Sequence, residues 1–358
     1  MTLSNLRGKF IISLLFGMVV AVGLMAYGDF AEILGSLEDF RWELLPLLLL
    51  LSLANYLIRF VKWHFYLGQI GLKDVPKWDS FLAFFSGLAM VITPGKLGEW
   101  LKSYLLQEMN GPPFVRTAPV LLAERFTDAV ALLLLAAAGL IIFGEAWQVF
   151  AIVAVASVVA MIVTRHRPTM RVLLRWAESV PFIRRFAAHF ETFYESTYTL
   201  FNPWSLIFTT VLSFVSWAGE VVAFYFVLVG LGVEPSWMLM VQASFILPIS
   251  TLAGAVVLIA PGGLGVAEGG ITGLLQVIVE DMSKSVAALA TLIIRFSTLW
   301  FGVIVGLVAL AVTSRRLAAA PQAVEAPDAA VPGGQLSTNP LNAAEASGGN
   351  ADGRRIST

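Results

Sequence analysis

Nine ionisable residues fall within apolar stretches of this chain: Lys96, Glu99, Lys102, Glu124, Arg125, Asp128, Glu220, Glu268 and Arg295. An ionisable group at the centre of a bilayer costs about 2.5–3.5 kcal/mol on insertion scales, so each needs a partner or a task. Two of them follow matching interruptions of the chain. Thr93-Pro94-Gly95-Lys96-Leu97-Gly98-Glu99 and Ala260-Pro261-Gly262-Gly263-Leu264-Gly265-Val266-Ala267-Glu268 each break an apolar run and restart a helix with Glu near its beginning. The hinges at Pro94, Gly95, Pro261, Gly262 and Gly263 leave backbone groups unpaired. Hydrocarbon tolerates this only where protein or a polar cavity surrounds the break. Paired breaks in two halves of a membrane protein point to a transport-type site.

The half-helices after the breaks begin at Gly98 and Gly265, with partial positive charge directed inward. Helix N-termini combined with guanidinium groups bind phosphate. With Arg125 and Arg295 near the hairpin tips, and Lys96 and Lys102 adding charge, the expected ligand is an anion. In a membrane that is a phospholipid or polyprenyl-phosphate headgroup. Glu99, Asp128, Glu220 and Glu268 would then gate or proton-couple the site. A second reading is internal pairing. Arg125 and Asp128 lie three apart on one helical face. Glu99 and Glu268 suit first turns, and Glu220 pairs with either arginine. Surplus buried positive charge requires a ligand; complete pairing does not.

The elements that position these groups follow from composition. Of 358 residues, 58% are hydrophobic and 13% charged, with mean hydropathy +0.81. Soluble domains run near a quarter charged, so the chain reads as an all-α polytopic membrane protein. No cysteine is present, which excludes disulfides, thiolate metal sites and a cysteine nucleophile. His64, His166 and His189 fall at or beyond span ends, which argues against a buried bis-His haem. No Ser-His-Asp set, metal set or cofactor motif can be assembled, and no basic-aromatic motif points to nucleic acid.

Windows long enough to cross roughly 30 Å of hydrocarbon fall near 10–28, 44–61, 117–143, 146–164, 204–230 and 285–313. The regions 79–108 and 236–279 each carry a break. Lys and Arg set the orientation. Arg7 and Lys9 put the N-terminus in the cytoplasm. Arg59, Lys62, Lys73 and Lys77 mark the inner end of the second span. Arg165, Arg167, Arg171, Arg175, Arg184 and Arg185 make 165–203 cytoplasmic, and Arg315 and Arg316 do so for the C-terminal end. By parity, 79–108 enters and leaves from inside, and 236–279 from outside. The expectation is six full spans plus two oppositely oriented re-entrant hairpins.

That arrangement is an inverted repeat, with units at about 44–143 and 204–313 inside a membrane domain of residues 1–316. Residues 317–358, rich in Ala, Pro, Gly, Asn and Ser, read as a disordered cytoplasmic tail. The segment 169–200 reads as amphipathic helix on the inner leaflet.

Five segments in order carry a resemblance: TPGKLGE at 93–99, ERFTD at 124–128, SWAGE at 216–220, PGGLGVAE at 261–268 and RFSTLW at 295–300. Together they resemble the transmembrane region of lysylphosphatidylglycerol synthases, the flippase-like domain family, over roughly 5–315. The family often has Arg where this chain has Lys96 and Lys102, a change that keeps charge but loses bidentate geometry. Bifunctional members add a soluble aminoacyl-transferase domain; here only the tail follows. The resemblance therefore implies lipid translocation or lipid handling, in the cell inner membrane, rather than synthesis of an aminoacylated lipid. The expected partners are lipids with anionic headgroups and, secondarily, lipid-biosynthesis enzymes. The alternative is a membrane enzyme or subunit in polyprenyl-phosphate-linked glycosyl transfer or lipid modification.

Overall fold

The computed structural model describes residues 3–93, 97–110, 112–143, 147–166, 168, 187–256 and 263–319. Every regular element among them is helical. In chain order these are α1 (Leu3–Tyr27), α2 (Phe30–Glu38), a 3-10 turn (Trp42–Leu44), α3 (Leu45–Gln69), α4 (Lys77–Leu88), α5 (Leu97–Asn110), α6 (Phe114–Phe143) and α7 (Trp147–Arg165). There follow α8 (Ala187–Leu200), α9 (Pro203–Gly230), α10 (Trp237–Val256), α11 (Val266–Ile278), α12 (Lys284–Arg295), a π turn (Phe296–Trp300) and α13 (Phe301–Ala319). Local chemistry sets several starts. The Asn202 side chain accepts from the Trp204 amide with Pro203 at the first position of α9, and Ser283 accepts from the Val286 amide ahead of α12.

Six of the described helices are long and apolar enough to cross a membrane: Phe10–Tyr27, Trp42–Gln69, Phe114–Phe143, Pro203–Gly230, Trp237–Val256 and Lys284–Ala319. Five match windows expected from sequence. The sixth, α10, was expected to be a half-helix, yet its 20 residues span about 30 Å. Its return arm α11 has 13 residues, about 20 Å, and does not. The arms of the other broken region, α4 and α5, have 12 and 14 residues and are both too short to cross. A second difference is at α3, which continues past residue 61 to Gln69. Lys62 and His64 therefore lie within a helix, not in a loop, and Arg59 is well inside it rather than at its end. Lys62 is 1% exposed, because protein rather than lipid surrounds it.

Contacts sort the helix ends into two groups. At one end Gly230 of α9 meets Phe40 and Leu44, and the Tyr27 hydroxyl donates to Gln276. There too Gln242 donates to the Ile278 carbonyl, and Ser283 and Ser285 donate to Glu32. At the other end Arg116 donates to the Ile70 carbonyl, Phe114 N–H to Gln107, and Arg316 pairs with Asp79. Thus α4 starts and α5 finishes beside the end of α3, whereas α10 starts and α11 finishes beside the end of α1.

Antiparallel α3 and α9 pack along each other, joined by Asn55 to the Ser216 carbonyl at 2.9 Å and Tyr66 to Thr209 at 2.8 Å. Around them the broken regions exchange arms. Gly306 of α13 lies against α4, where an added Cβ would sit 2.1 Å from the Ala89 amide nitrogen. Gly139 of α6 lies against α10, where a Cβ would sit 2.3 Å from Phe245 Cβ. Small residues allow such close helix approach. Ile92, ahead of the first break, and Leu264, after the second, share a buried apolar cluster with Val303.

Pro94, Gly95, Lys96, Pro261, Gly262 and the segment 169–186 lie outside the described residues, as does 320–358 of the expected tail. Helix α13 carries on through Ala319, beyond the boundary expected at residue 316.

Candidate functional site

Two positive-φ glycines shape the turn into α11: Gly263 (φ 74) and Gly265 (φ 84), a region that side-chain-bearing residues disfavour. Gly263 also sits against Gly254, where a Cβ would lie 2.8 Å from its carbonyl oxygen. The Gly265 N–H then donates to Glu268 Oε2 at 2.6 Å. The other carboxylate oxygen, Oε1, accepts from Arg295 Nε at 2.6 Å. Glu268 is 3% exposed. An anion therefore already occupies the place where the α11 N-terminus and a guanidinium converge, and that anion is the protein's own carboxylate.

Arg295 closes α12, and the chain passes directly into the π turn. Such turns recur at functional sites because they displace the ladder of backbone bonds. Tyr56 of α3 donates its hydroxyl to the Thr298 carbonyl within it. Arg295 Nη2 is buried and has no hydrogen-bond partner among the described residues. Beside it lies a cavity of about 30 Å³ lined by Gly17, Ala21, Leu24, Glu268, Leu292 and Arg295, among others. That admits water but no lipid headgroup.

A related pairing occurs at the start of α5. Glu99, in the first turn of α5, lies 3.4 Å from Arg125 Nη1. Arg125 Nη2 reaches Asp128 at 2.9 Å, the i,i+3 pair legible in the sequence. Arg125 Nε is buried without a hydrogen-bond partner among the described residues. Asp128 also accepts from Lys62 at 2.5 Å and Ser213 at 2.9 Å, with Arg59 at 3.7 Å. Lys102 pairs with Glu124 and stands 4.4 Å from the Trp63 ring centroid. Gly98 is in the first turn of α5.

Glu220 differs. It is 8% exposed and makes no ion pair or hydrogen bond with the described residues. The arginine partner expected from sequence is not within bonding distance. Arg59, Arg295 and Asp128 nonetheless lie within its electrostatic reach. Five cations (Arg59, Lys62, Lys102, Arg125, Arg295) thus stand among five carboxylates (Glu99, Glu124, Asp128, Glu220, Glu268) in the described cluster. No surplus positive charge exists among them; Lys96 is not described. Sequence reasoning did not find Arg59 and Lys62 as members, although Asn55, Arg59, Lys62 and Tyr66 recur at one-face helical spacing on α3.

A bundle of membrane-length helices around a balanced, buried charge cluster defines a polytopic membrane protein. The family described as Lysylphosphatidylglycerol synthase TM region matches residues 10–306, and the chain belongs to it. No curated protein matches the chain.

Proposed function

We propose that this protein is a lipid translocator whose two oppositely oriented broken hairpins, related as inverted repeats, pass an anionic headgroup through the bilayer midplane. The observation that carries this reading is the repeated pairing of each arginine with the carboxylate after its own break. Arg125 faces Glu99 and Arg295 holds Glu268, and each guanidinium keeps one buried nitrogen without a hydrogen-bond partner among the described residues. A lipid phosphate takes over the contacts that the Glu268 carboxylate makes to Arg295 Nε and the Gly265 N–H. Glu268 is a resident stand-in that keeps the site closed until a headgroup displaces it. The exchange of arms between halves, α4 on α13 and α10 on α6, supplies a twofold-like pivot for alternating access.

The basic flanks support both termini lying in the cytoplasm, and this reading sets the protein in the cell inner membrane. No chemical change accompanies transport in this reading. Its test is reconstitution of the purified protein into vesicles containing phosphatidylglycerol with a fluorescent headgroup, followed by quenching of the outer leaflet. Movement with the lipid chemically intact is expected. A new lipid-linked product would instead establish the enzyme alternative.

A further inference from the structure

Arg59 lies about ten residues, roughly 15 Å, short of the end of α3. At about 3.6 residues per turn it stands opposite Leu50, Leu57 and Val61, three exposed apolar residues of that helix. Its side chain is 20% exposed, so the opening it meets lies between helices and not on the hydrocarbon side. Arg125 of α6 is 30% exposed. The two guanidinium groups converge on one atom: Asp128 Oδ2 is 3.7 Å from Arg59 Nη2 and 2.9 Å from Arg125 Nη2. That oxygen nevertheless accepts no hydrogen bond from the described residues. The attraction is one of charge alone, and the donors of both forks remain free for another acceptor.

Asp128 does not depend on either arginine. Its other oxygen accepts from Lys62 at 2.5 Å and Ser213 at 2.9 Å, so it keeps a counter-ion when they turn away. Glu99 reaches Arg125, and Glu220 is within electrostatic reach of Arg59 without bonding to it. Trp217 flanks the pair, its ring centroid 5.8 Å from Arg59 Cζ. Guanidinium donors this deep need an acceptor that hydrocarbon cannot supply. A phosphate, with several anionic oxygens on one centre, matches two converging forks.

We propose that Arg59 and Arg125 form a two-guanidinium seat for a single phosphate group, with Arg59 as a binding residue in its own right. This rests on the translocator reading for its ligand, a lipid phosphodiester, and adds where that group is held. In the empty protein Asp128 Oδ2 is the shared counter-charge. When phosphate enters, both forks close on its oxygens and Asp128 stays with Lys62 and Ser213. Free inorganic phosphate carries the same chemistry, and the test separates the two sources.

Dioctanoyl phosphatidylglycerol, inorganic phosphate and the phosphate-free dioctanoylglycerol are each titrated against the melting midpoint of the purified protein in detergent. The phosphatidylglycerol is expected to raise the wild-type midpoint saturably. Arg59→Gln should raise its half-saturating concentration about tenfold, through loss of charge-assisted bonds to one fork, and Arg59→Lys should restore part of it. Saturation by inorganic phosphate, with the same loss in Arg59→Gln, also supports the seat and makes free phosphate its ligand. An equal response to dioctanoylglycerol, or an unchanged half-saturation in Arg59→Gln, overturns the seat. A second measurement needs no variant: phenylglyoxal modifies the arginines of the wild-type protein, and mass spectrometry locates the adducts. Slower modification of Arg59 with a phosphate-bearing probe present is expected, and equal rates with and without both such probes overturn the seat. In the quenching assay, Arg59→Gln vesicles that move headgroups at the wild-type rate overturn the seat alone. Wild-type vesicles that move no probe overturn the translocator reading, and the titrations then decide the seat by themselves.

Discussion

The carboxylate of Glu268 bridges Arg295 Nε and the Gly265 N–H at 2.6 Å each. One residue thereby ties the start of α11 to the end of α12. Removing one partner of a buried ion pair costs about 3–5 kcal/mol, because the other charge is left uncompensated. Arg295→Ala is therefore expected to lower thermal stability in detergent and to abolish headgroup movement. The double variant Glu268→Gln/Arg295→Gln separates the two effects. Its melting midpoint should return toward wild type while movement stays lost. Recovery of movement in the double variant would remove Arg295 from the mechanism.

Arg125 is a contrasting case. Its side chain is 30% exposed, and Asp128 keeps Lys62 as a partner when it is removed. Arg125→Ala is expected to destabilise clearly less than Arg295→Ala, yet to abolish movement equally. Melting curves and the quenching assay on the same preparations check both halves of this statement.

Asp128 has a structural task that its neighbour lacks. Three cations converge on it, one of them Lys62 at 1% exposure. Asp128→Asn removes the one carboxylate bonded to that ammonium among the described residues and leaves only the more distant Glu124 acting on it, at a cost of about 3–5 kcal/mol. The expected result is the lowest melting midpoint of any single substitution in the cluster, partly restored by adding Lys62→Met. A midpoint near wild type for Asp128→Asn would show that Lys62 has another partner.

Some of this arrangement was legible in the chain and some was not. The five expected spans that match and the Arg125–Asp128 pair follow from local spacing. The end of α3 did not, because Arg59 and Lys62 interrupt its apolar window and read as a membrane boundary. They are tolerated inside because Asp128, Ser213 and Thr127 meet Lys62 from α6 and α9. Those contacts are tertiary and leave no trace in hydropathy. The same holds for Lys102, whose partner Glu124 lies 22 residues away, and for the length of α10. A Pro-Gly break in sequence marks an interruption but not how far back the helix before it began.

The glycines at the exchanged arms give a stability prediction independent of charge. A Cβ at Gly306 meets backbone of α4, at 2.1 Å from the Ala89 nitrogen, and a Cβ at Gly139 meets Phe245 Cβ at 2.3 Å. Overpacking a well-filled contact costs about 1–3 kcal/mol. Gly306→Ala and Gly139→Ala should each lower the melting midpoint, whereas Gly269→Ala, with open space around it, should not. Equal midpoints for all three would mean that the arms are not held this closely.

Glu220 supplies the last prediction, and its sign is opposite to the others. A buried carboxylate without an ion-pair partner loses hydration and gains little in return, so it burdens the fold. Glu220→Gln keeps the shape and removes the charge. Its melting midpoint should equal or exceed that of the wild type. If Glu220 takes up and releases a proton as the hairpins alternate, the same substitution should flatten the dependence of headgroup movement on pH. The quenching assay run across pH 5–9 on both proteins decides this. A substitution that destabilises the protein would instead show that Glu220 is an essential counter-ion, with Arg59 or Arg295 as the cation it serves.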